Sequence, residues 1–142
     1  MLEVPHSLLG GAIGAATGNP FLAAPAGAAS HFATDLLPHW NPKFPFRSKA
    51  LYSFVIVDFL VALGLVGVFA IIFPDRPEIA VGAFCGTLPD IIMGLRFTFK
   101  IRWLRAYERS HSFLQWEVPI VYGLWPQLIV SILSGWYLVG LM

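Results

Sequence analysis

Charge is scarce in this sequence. Only 12% of its 142 residues are charged and 57% are hydrophobic, whereas soluble domains average about 25% charged and about 45–50% apolar residues. Nine Lys and Arg against eight Asp and Glu leave a net charge of +1, which supplies no basic field for a nucleic acid. The composition therefore argues against a water-soluble globule and against nucleic-acid binding, and it predicts membrane lipids as the surroundings.

Cysteine and the common catalytic motifs are also scarce or missing. The single cysteine, Cys85, excludes an intramolecular disulfide and a cysteine-rich metal cage. The sequence has no G-x-S-x-G elbow, Walker loop, H-E-x-x-H or C-x-x-C motif, so serine and cysteine nucleophiles gain no support. Glu3 and His6 stand where a secretory signal carries Lys or Arg, and we expect the amino terminus to belong to the mature fold.

Apolar segments make up most of the chain. Three are long enough to predict membrane helices, namely 51–73, 78–95 and 118–141. Two shorter segments, 4–18 and 20–37, flank Gly-Asn-Pro and predict a tight helical hairpin. We therefore predict one all-α integral membrane domain over residues 1–142, a polytopic bundle with about five membrane helices and one interfacial amphipathic helix over 100–116.

Small residues recur on both arms of the predicted hairpin. Gly10, Gly14 and Gly18 repeat every fourth residue on one face of the first arm, and the second arm offers Ala23, Ala24, Gly27 and Ala28. Because small residues let helix backbones approach closely in a membrane, this pattern predicts that the two arms pack directly against each other.

Positive charges predict the orientation of the chain in the membrane. They cluster in two loops, one with Lys43, Arg47 and Lys49 and the other with Arg96, Lys100, Arg102, Arg105 and Arg109. Cytoplasmic loops are enriched in Lys and Arg. We therefore expect both loops and the amino terminus on the cytoplasmic side of the cell (inner) membrane, and the carboxyl terminus outside.

Histidine and aspartate recur at positions suited to metal binding. His31 and Asp35 are four residues apart, so one helical face presents both side chains to one point. A histidine hydrogen-bonded to an aspartate would have the same spacing. The predicted topology brings His6, Asp90 and His111 to the same cytoplasmic ends, so the predicted ligands of one or two divalent cations, zinc or manganese, are His6, His31, Asp35, Asp90 and His111.

Further residues are candidates for chemistry beside that site. Asp58 lies inside an apolar span, where a carboxylate costs roughly 2.5–3.5 kcal/mol and needs a partner. We predict Asp58 or His39 as the catalytic base or as an orienting group, and Arg105 and Arg109 as the residues that bind an anionic group such as a phosphate.

Several stretches resemble the YdjM-like membrane-bound metal-dependent hydrolases. GAASHFATDLLPHWNP is similar to the Ser-His segment of that family, GTLPDI to its Leu-Pro-Asp motif, and HSLLG and RSHSFLQ to its Thr-His-Ser stretch. The order of the motifs differs, and Ile92 stands where the family has a second acid. The resemblance implies metal ligation by His31, Asp35, Asp90 and either His6 or His111, with hydrolysis of an ester or amide.

Three functions remain open on the sequence. The first is a metal-dependent hydrolase that acts at the cytoplasmic face, on a lipid or a lipid-linked phosphoester. The second is a small cation- or proton-coupled channel or carrier that uses the intramembrane acids as a relay. The third is a non-catalytic membrane scaffold. Several helices shorter than the bilayer are compatible with a homo-oligomer that seals the site.

Overall fold

The chain is all-helical in a computed structural model that describes residues 1–43, 45 and 48–142. The described part contains no strand, and His39 and Glu117 form an isolated parallel bridge. The helices are α1 (Glu3–Thr17), α2 (Pro20–Asp35), α3 (Lys49–Ile72), α4 (Pro77–Phe99), a 3₁₀ turn (Arg102–Leu104), α5 (Arg105–Leu114) and α6 (Ile120–Val139). The predicted fold class is therefore confirmed at the level of an all-α chain. Arg47, one of the cations used to predict the orientation, lies outside the described residues.

Two of the described helices, α3 and α4, are long and apolar enough to cross a membrane. This is fewer than the five membrane helices that the sequence predicts. At 15 and 16 residues, α1 and α2 are too short for a crossing. α6 is long enough at 20 residues, but its mean hydropathy is lowered by Pro126, Gln127 and several Trp and Tyr residues.

The ends of the helices follow from local sequence. Gly18 ends α1 in the left-handed conformation, at φ 59°. The Asn19 side chain then accepts a hydrogen bond from the backbone N–H of Phe21, with Pro20 in the first helical position of α2. Ser48 caps α3 in the same way. These are the residues at which the apolar segments of the sequence begin and end, which is why the predicted helices match the observed ones closely.

Glycines bring three helices into close contact. A Cβ on Gly10 or Gly14 would collide with the backbone of α4 at Gly82 and Glu78, and a Cβ on Gly27 would collide with Gly82 as well. The two arms of the hairpin pack against each other as predicted, but the prediction that the glycine face of α1 forms that interface is corrected, because Gly10 and Gly14 lie against α4. Gly82 is the point at which both arms of the hairpin meet α4.

The remaining helices surround this crossing. α1 contacts α2, α3, α4 and α6, and α5 lies against α2 and α4. The buried apolar cluster comprises Ala12, Ala15, Phe69, Phe73, Ile79, Ala83 and Leu138. The amino-terminal end of α1, the carboxyl-terminal end of α2 and the later half of α4 are thereby brought together beside α5, and the polar residues of the chain gather there.

Candidate metal centre

The structure brings all five predicted metal ligands to one end of the bundle. His6 lies in the first turns of α1, His31 and Asp35 in the last turn of α2, Asp90 in α4 and His111 in α5. Two overlapping groups of ligand atoms form within this set, His6 with His31 and Asp35, and His31 with Asp90 and His111. We call the five residues the His–Asp cluster. It is a buried cluster of nitrogen and oxygen donors that could hold a metal ion.

One part of the cluster, which we call the closed half, consists of His6, His31 and Asp35. Asp35 Oδ1 lies 3.3 Å from His6 Nε2, and Asp35 Oδ2 lies 3.2 Å from His31 Nε2. The two imidazoles stack with their centroids 3.8 Å apart. All three side chains are buried, with relative exposures of 0–1%. Both histidines therefore lie next to one carboxylate inside the protein.

The other part, the open half, consists of Asp90 and His111. Asp90 Oδ1 lies 3.1 Å from His111 Nε2, and the side chain of Asp90 is 23% exposed. His31 joins the halves, because its Nε2 lies 3.0 Å from His111 Nε2 and 3.8 Å from Asp90 Oδ1. Ligands about 2.0–2.2 Å from a tetrahedral zinc are about 3.3–3.6 Å apart. The observed separations of 3.0–3.8 Å therefore suit a divalent cation.

The hydrogen bonds on the opposite ring nitrogens direct Nε2 lone pairs into the cluster. His31 Nδ1–H donates to the Gly86 carbonyl over 2.8 Å, which leaves Nε2 unprotonated in the neutral ring. The Thr34 hydroxyl donates to backbone carbonyls within α2, so Thr34 Oγ1 accepts the proton of His6 Nδ1 over 3.0 Å. His6 Nε2 is buried without a hydrogen-bond partner among the described residues. Such a nitrogen is suited to a cation.

Asp35 also has partners outside the cluster. The amino group of Met1 and the Nε2 of Gln115 each lie 2.6 Å from one of its carboxylate oxygens. His39 Nε2 is 3.9 Å from Asp35 Oδ1, and both of its ring nitrogens have partners, the Leu37 carbonyl and the Gln115 side-chain oxygen. His39 thus contacts the Gln115 side chain, whose Nε2 in turn donates to Asp35. No sequence pattern singles out Gln115.

Two further carboxylates lie next to the open half. Glu3 is 96% buried, its side chain lies against Asp90, and its Oε2 has no hydrogen-bond partner among the described residues. Asp58 Oδ2 accepts the backbone N–H of Glu3 over 3.0 Å. The structure thus places Asp58 beside Asp90, away from the closed half. Sequence reasoning assigns Glu3 no part in the site, although an acid among apolar residues was the available signal.

A cavity of about 360 Å³ opens onto the open half. Asp58, Asp90 and His111 line it, together with apolar residues of α3 and α4. Tyr107 of α5 stacks on His111 and donates its hydroxyl to the Pro89 carbonyl over 2.9 Å. Burial, with the Asp90 and Asp35 carboxylates acting in the same direction, raises the pKa of the Tyr107 phenol above its usual range, so Tyr107 remains a hydrogen-bond donor that holds α5 against α4.

Arg105 and Arg109 line a second cavity of about 380 Å³, whose other lining residues are Arg96, Glu108 and Ser112. Arg96 pairs with Glu108 over 2.9 Å. Arg105 and Arg109 have no carboxylate partner among the residues that the structure describes. Ser112 lines both cavities, so the predicted anion-binding arginines lie close to the cluster without being part of it.

The chain was also compared with known proteins. No protein-family model, curated protein or solved structure matches it, so the geometry of the cluster is the basis for any functional proposal, and the relationship to the YdjM-like hydrolases stays a prediction.

Proposed function

We propose that this chain is a membrane-embedded, metal-dependent hydrolase whose His–Asp cluster holds a divalent cation. The carrying observation is the set of separations of 3.0–3.8 Å that His31 Nε2 makes with Asp35, Asp90 and His111. Imidazole and carboxylate ligands suit zinc, and manganese accepts the same donors. A divalent cation held by these residues would lower the pKa of a bound water toward neutrality and would stabilise charge developing on an ester oxygen.

The residues around the cluster divide the remaining tasks. Gln115 and Thr34 fix the orientations of Asp35 and His6. We assign Asp58 as the proton acceptor, because its carboxylate lies in the cavity that reaches Asp90. His39 orients Gln115. Arg105 and Arg109 bind the anionic part of the substrate, for which we propose a lipid or lipid-linked phosphoester.

The proposed location is the cytoplasmic face of the inner membrane. α3 and α4 are the candidate spans, and Asp90 of the cluster lies in the later half of α4, nine residues before the end of that helix. The cationic residues Lys43, Lys49 and Lys100 are at the same end, as cytoplasmic loops require. This placement puts the cluster in the cytoplasmic half of the proposed spans.

Elemental analysis of the detergent-purified protein tests the proposal. We expect stoichiometric zinc or manganese in the parent protein and none in a His31→Ala, Asp35→Ala double variant. A Thr17→Ala, Asp75→Ala double variant, with both changes remote from the cluster, is the matched control and should retain the metal. Metal-free parent protein after reconstitution with either ion would refute the proposal. So would metal-loaded protein that hydrolyses no phosphoester or lipid in a broad screen.

A further inference from the structure

The cavity at the open half has two chemically different regions. Its inner end carries Glu3, Asp58 and Asp90, next to His111. The walls between α3 and α4 are apolar and include Phe54, Val55, Phe59, Met93 and Phe97. Because α3 and α4 are the two candidate membrane spans, the apolar region lies between helices that face lipid.

The apolar wall of this cavity includes residues that are exposed on the surface of the two spans. Val55 and Phe97, one on each helix, are 41% and 40% exposed. Gly94 also lines the cavity, and no atom lies within 4 Å of the position that a Cβ would take. The absence of a side chain at Gly94 therefore leaves open space in the wall of the cavity.

The neighbouring arginine cavity supplies the opposite chemistry. This cavity is lined by three arginines, Arg96, Arg105 and Arg109, and by one carboxylate, that of Glu108, so its net charge is positive. Ser112 lines both cavities and directly follows His111 of the cluster. An anion held by these arginines is next to a candidate metal ligand, whereas the acidic end of the apolar cavity repels it.

Building on the proposed function, we infer that the two cavities form one site for an anionic amphiphile of the alkyl phosphate class. Its hydrocarbon chain lies between α3 and α4 and its phosphate group lies at Arg105 and Arg109. The substrate gains access from the bilayer through the gap between the two spans. The phosphate is thereby brought beside His111, and each methylene removed from water adds to the affinity.

Photo-crosslinking tests this inference without any catalytic readout. The probe is a diazirine derivative of dodecyl phosphate, added to chelator-treated protein in phosphatidylcholine nanodiscs, with labelled residues located by peptide mass spectrometry. We expect labels on α3 and α4 around Val55 and Phe97. Inorganic phosphate should compete only weakly, because it lacks the chain. Competition as strong as that of unlabelled dodecyl phosphate would overturn the amphiphile in favour of a simple anion site.

Two variant pairs separate the regions of the site. Gly94→Leu fills the apolar cavity and should weaken probe binding about tenfold, which corresponds to the loss of about two buried methylene groups. Gly64→Leu is the matched control, because Gly64 also lies in an apolar helix with no atom near a Cβ and does not line the cavity. Equal binding by the two variants would overturn the placement of the chain.

The charged region is tested in the same assay. Arg105→Gln with Arg109→Gln should weaken binding of both the probe and inorganic phosphate, whereas Lys100→Gln with Arg102→Gln removes the same charge outside the cavity and should not. Equal binding by these double variants would overturn the placement of the phosphate. The binding assay uses metal-free protein, so its result does not depend on the proposed function. Probe binding by the metal-free protein, with no hydrolysis by the metal-loaded protein, would refute only the proposed function. Hydrolysis that is unaffected by Gly94→Leu would refute only this inference.

Discussion

The closed and open halves of the His–Asp cluster use the same side chains in different surroundings. In the closed half, His6, His31 and Asp35 are fully buried, and the polar atoms around them are fixed by Thr34, Gly86 and Gln115. In the open half, Asp90 and His111 line a cavity. Under the proposed function, the closed half would retain the cation and the open half would present it to the substrate.

The largest effect is expected from the closed half, at Asp35. Asp35→Asn removes the negative charge that the Met1 amino group and the Gln115 side-chain amide contact inside the protein. Removal of one partner from a buried charged network costs about 3–5 kcal/mol. Thermal unfolding should therefore show a large drop in stability together with loss of metal. Asp75→Asn, in the exposed turn between α3 and α4, should change neither, and an equally small effect at Asp35 would contradict the comparison.

A pair of histidine variants separates the two halves directly. His6→Ala leaves a hole around Asp35 that is closed to solvent, so the protein should no longer retain zinc through purification. His111→Ala opens the site toward the cavity, where water can replace the imidazole, so zinc should be retained but lost faster to a chelator. Metal content and chelator exchange rates measure both effects. The same exchange rate in the two variants would show that the halves do not differ.

The two halves are held together where α1 and α2 pack against α4 at Gly82, and a substitution there should disrupt this packing. Gly82→Ala places a methyl group against the backbone of Gly10 and Gly14, which should cost about 1–3 kcal/mol in unfolding free energy and weaken metal binding as α4 moves outward. Gly67→Ala in α3 has open space around the new methyl group and should leave the protein equally stable or more so. Chemical denaturation measures the unfolding free energy of both variants, and equal values would contradict the close packing at Gly82.

The smallest effect concerns a single hydrogen bond. Thr34→Val keeps the shape of the side chain but removes the oxygen that accepts from His6 Nδ1. Loss of such a partner weakens metal binding about 10–100-fold, and we expect the lower end because His31 keeps its own bond to Gly86. Thr87→Val is the control, because Thr87 is also buried and its hydroxyl donates to the Phe84 carbonyl, away from the cluster histidines. Zinc titration that finds equal affinities would assign Thr34 a purely structural role.

Local sequence patterns were sufficient for the helices and for part of the site. Asn19 and Ser48 mark helix starts, and the spacing of His31 and Asp35 places both on one face of α2 whatever the rest of the fold does. Asp90 and His111 could be assigned to the site only from the predicted membrane topology. Their grouping depends on α4 and α5 packing beside α2, which the positions of the cations and apolar segments indicate.

Other features depend on packing that no local pattern encodes. The glycine face of α1 is visible in the sequence, but its partner, α4 rather than α2, is decided by how three helices cross at Gly82. Gln115 and Glu3 reach the cluster from segments that are distant in the chain. Two of the five predicted membrane helices, α3 and α4, are long and apolar enough to cross a membrane, whereas the hairpin arms α1 and α2, already short in the sequence, have only 15 and 16 residues.

The order of the two halves along the chain has a consequence for biosynthesis. All residues of the closed half precede α3, whereas the open half is complete only when His111 has been added. At about 5–20 residues per second, translation from Asp35 to His111 takes about 4–15 s. During that interval the nascent chain carries His6, His31 and Asp35 without Asp90 and His111. Under the proposed function, the availability of cations in the cell would therefore select the first ion to bind, before the finished site could select it.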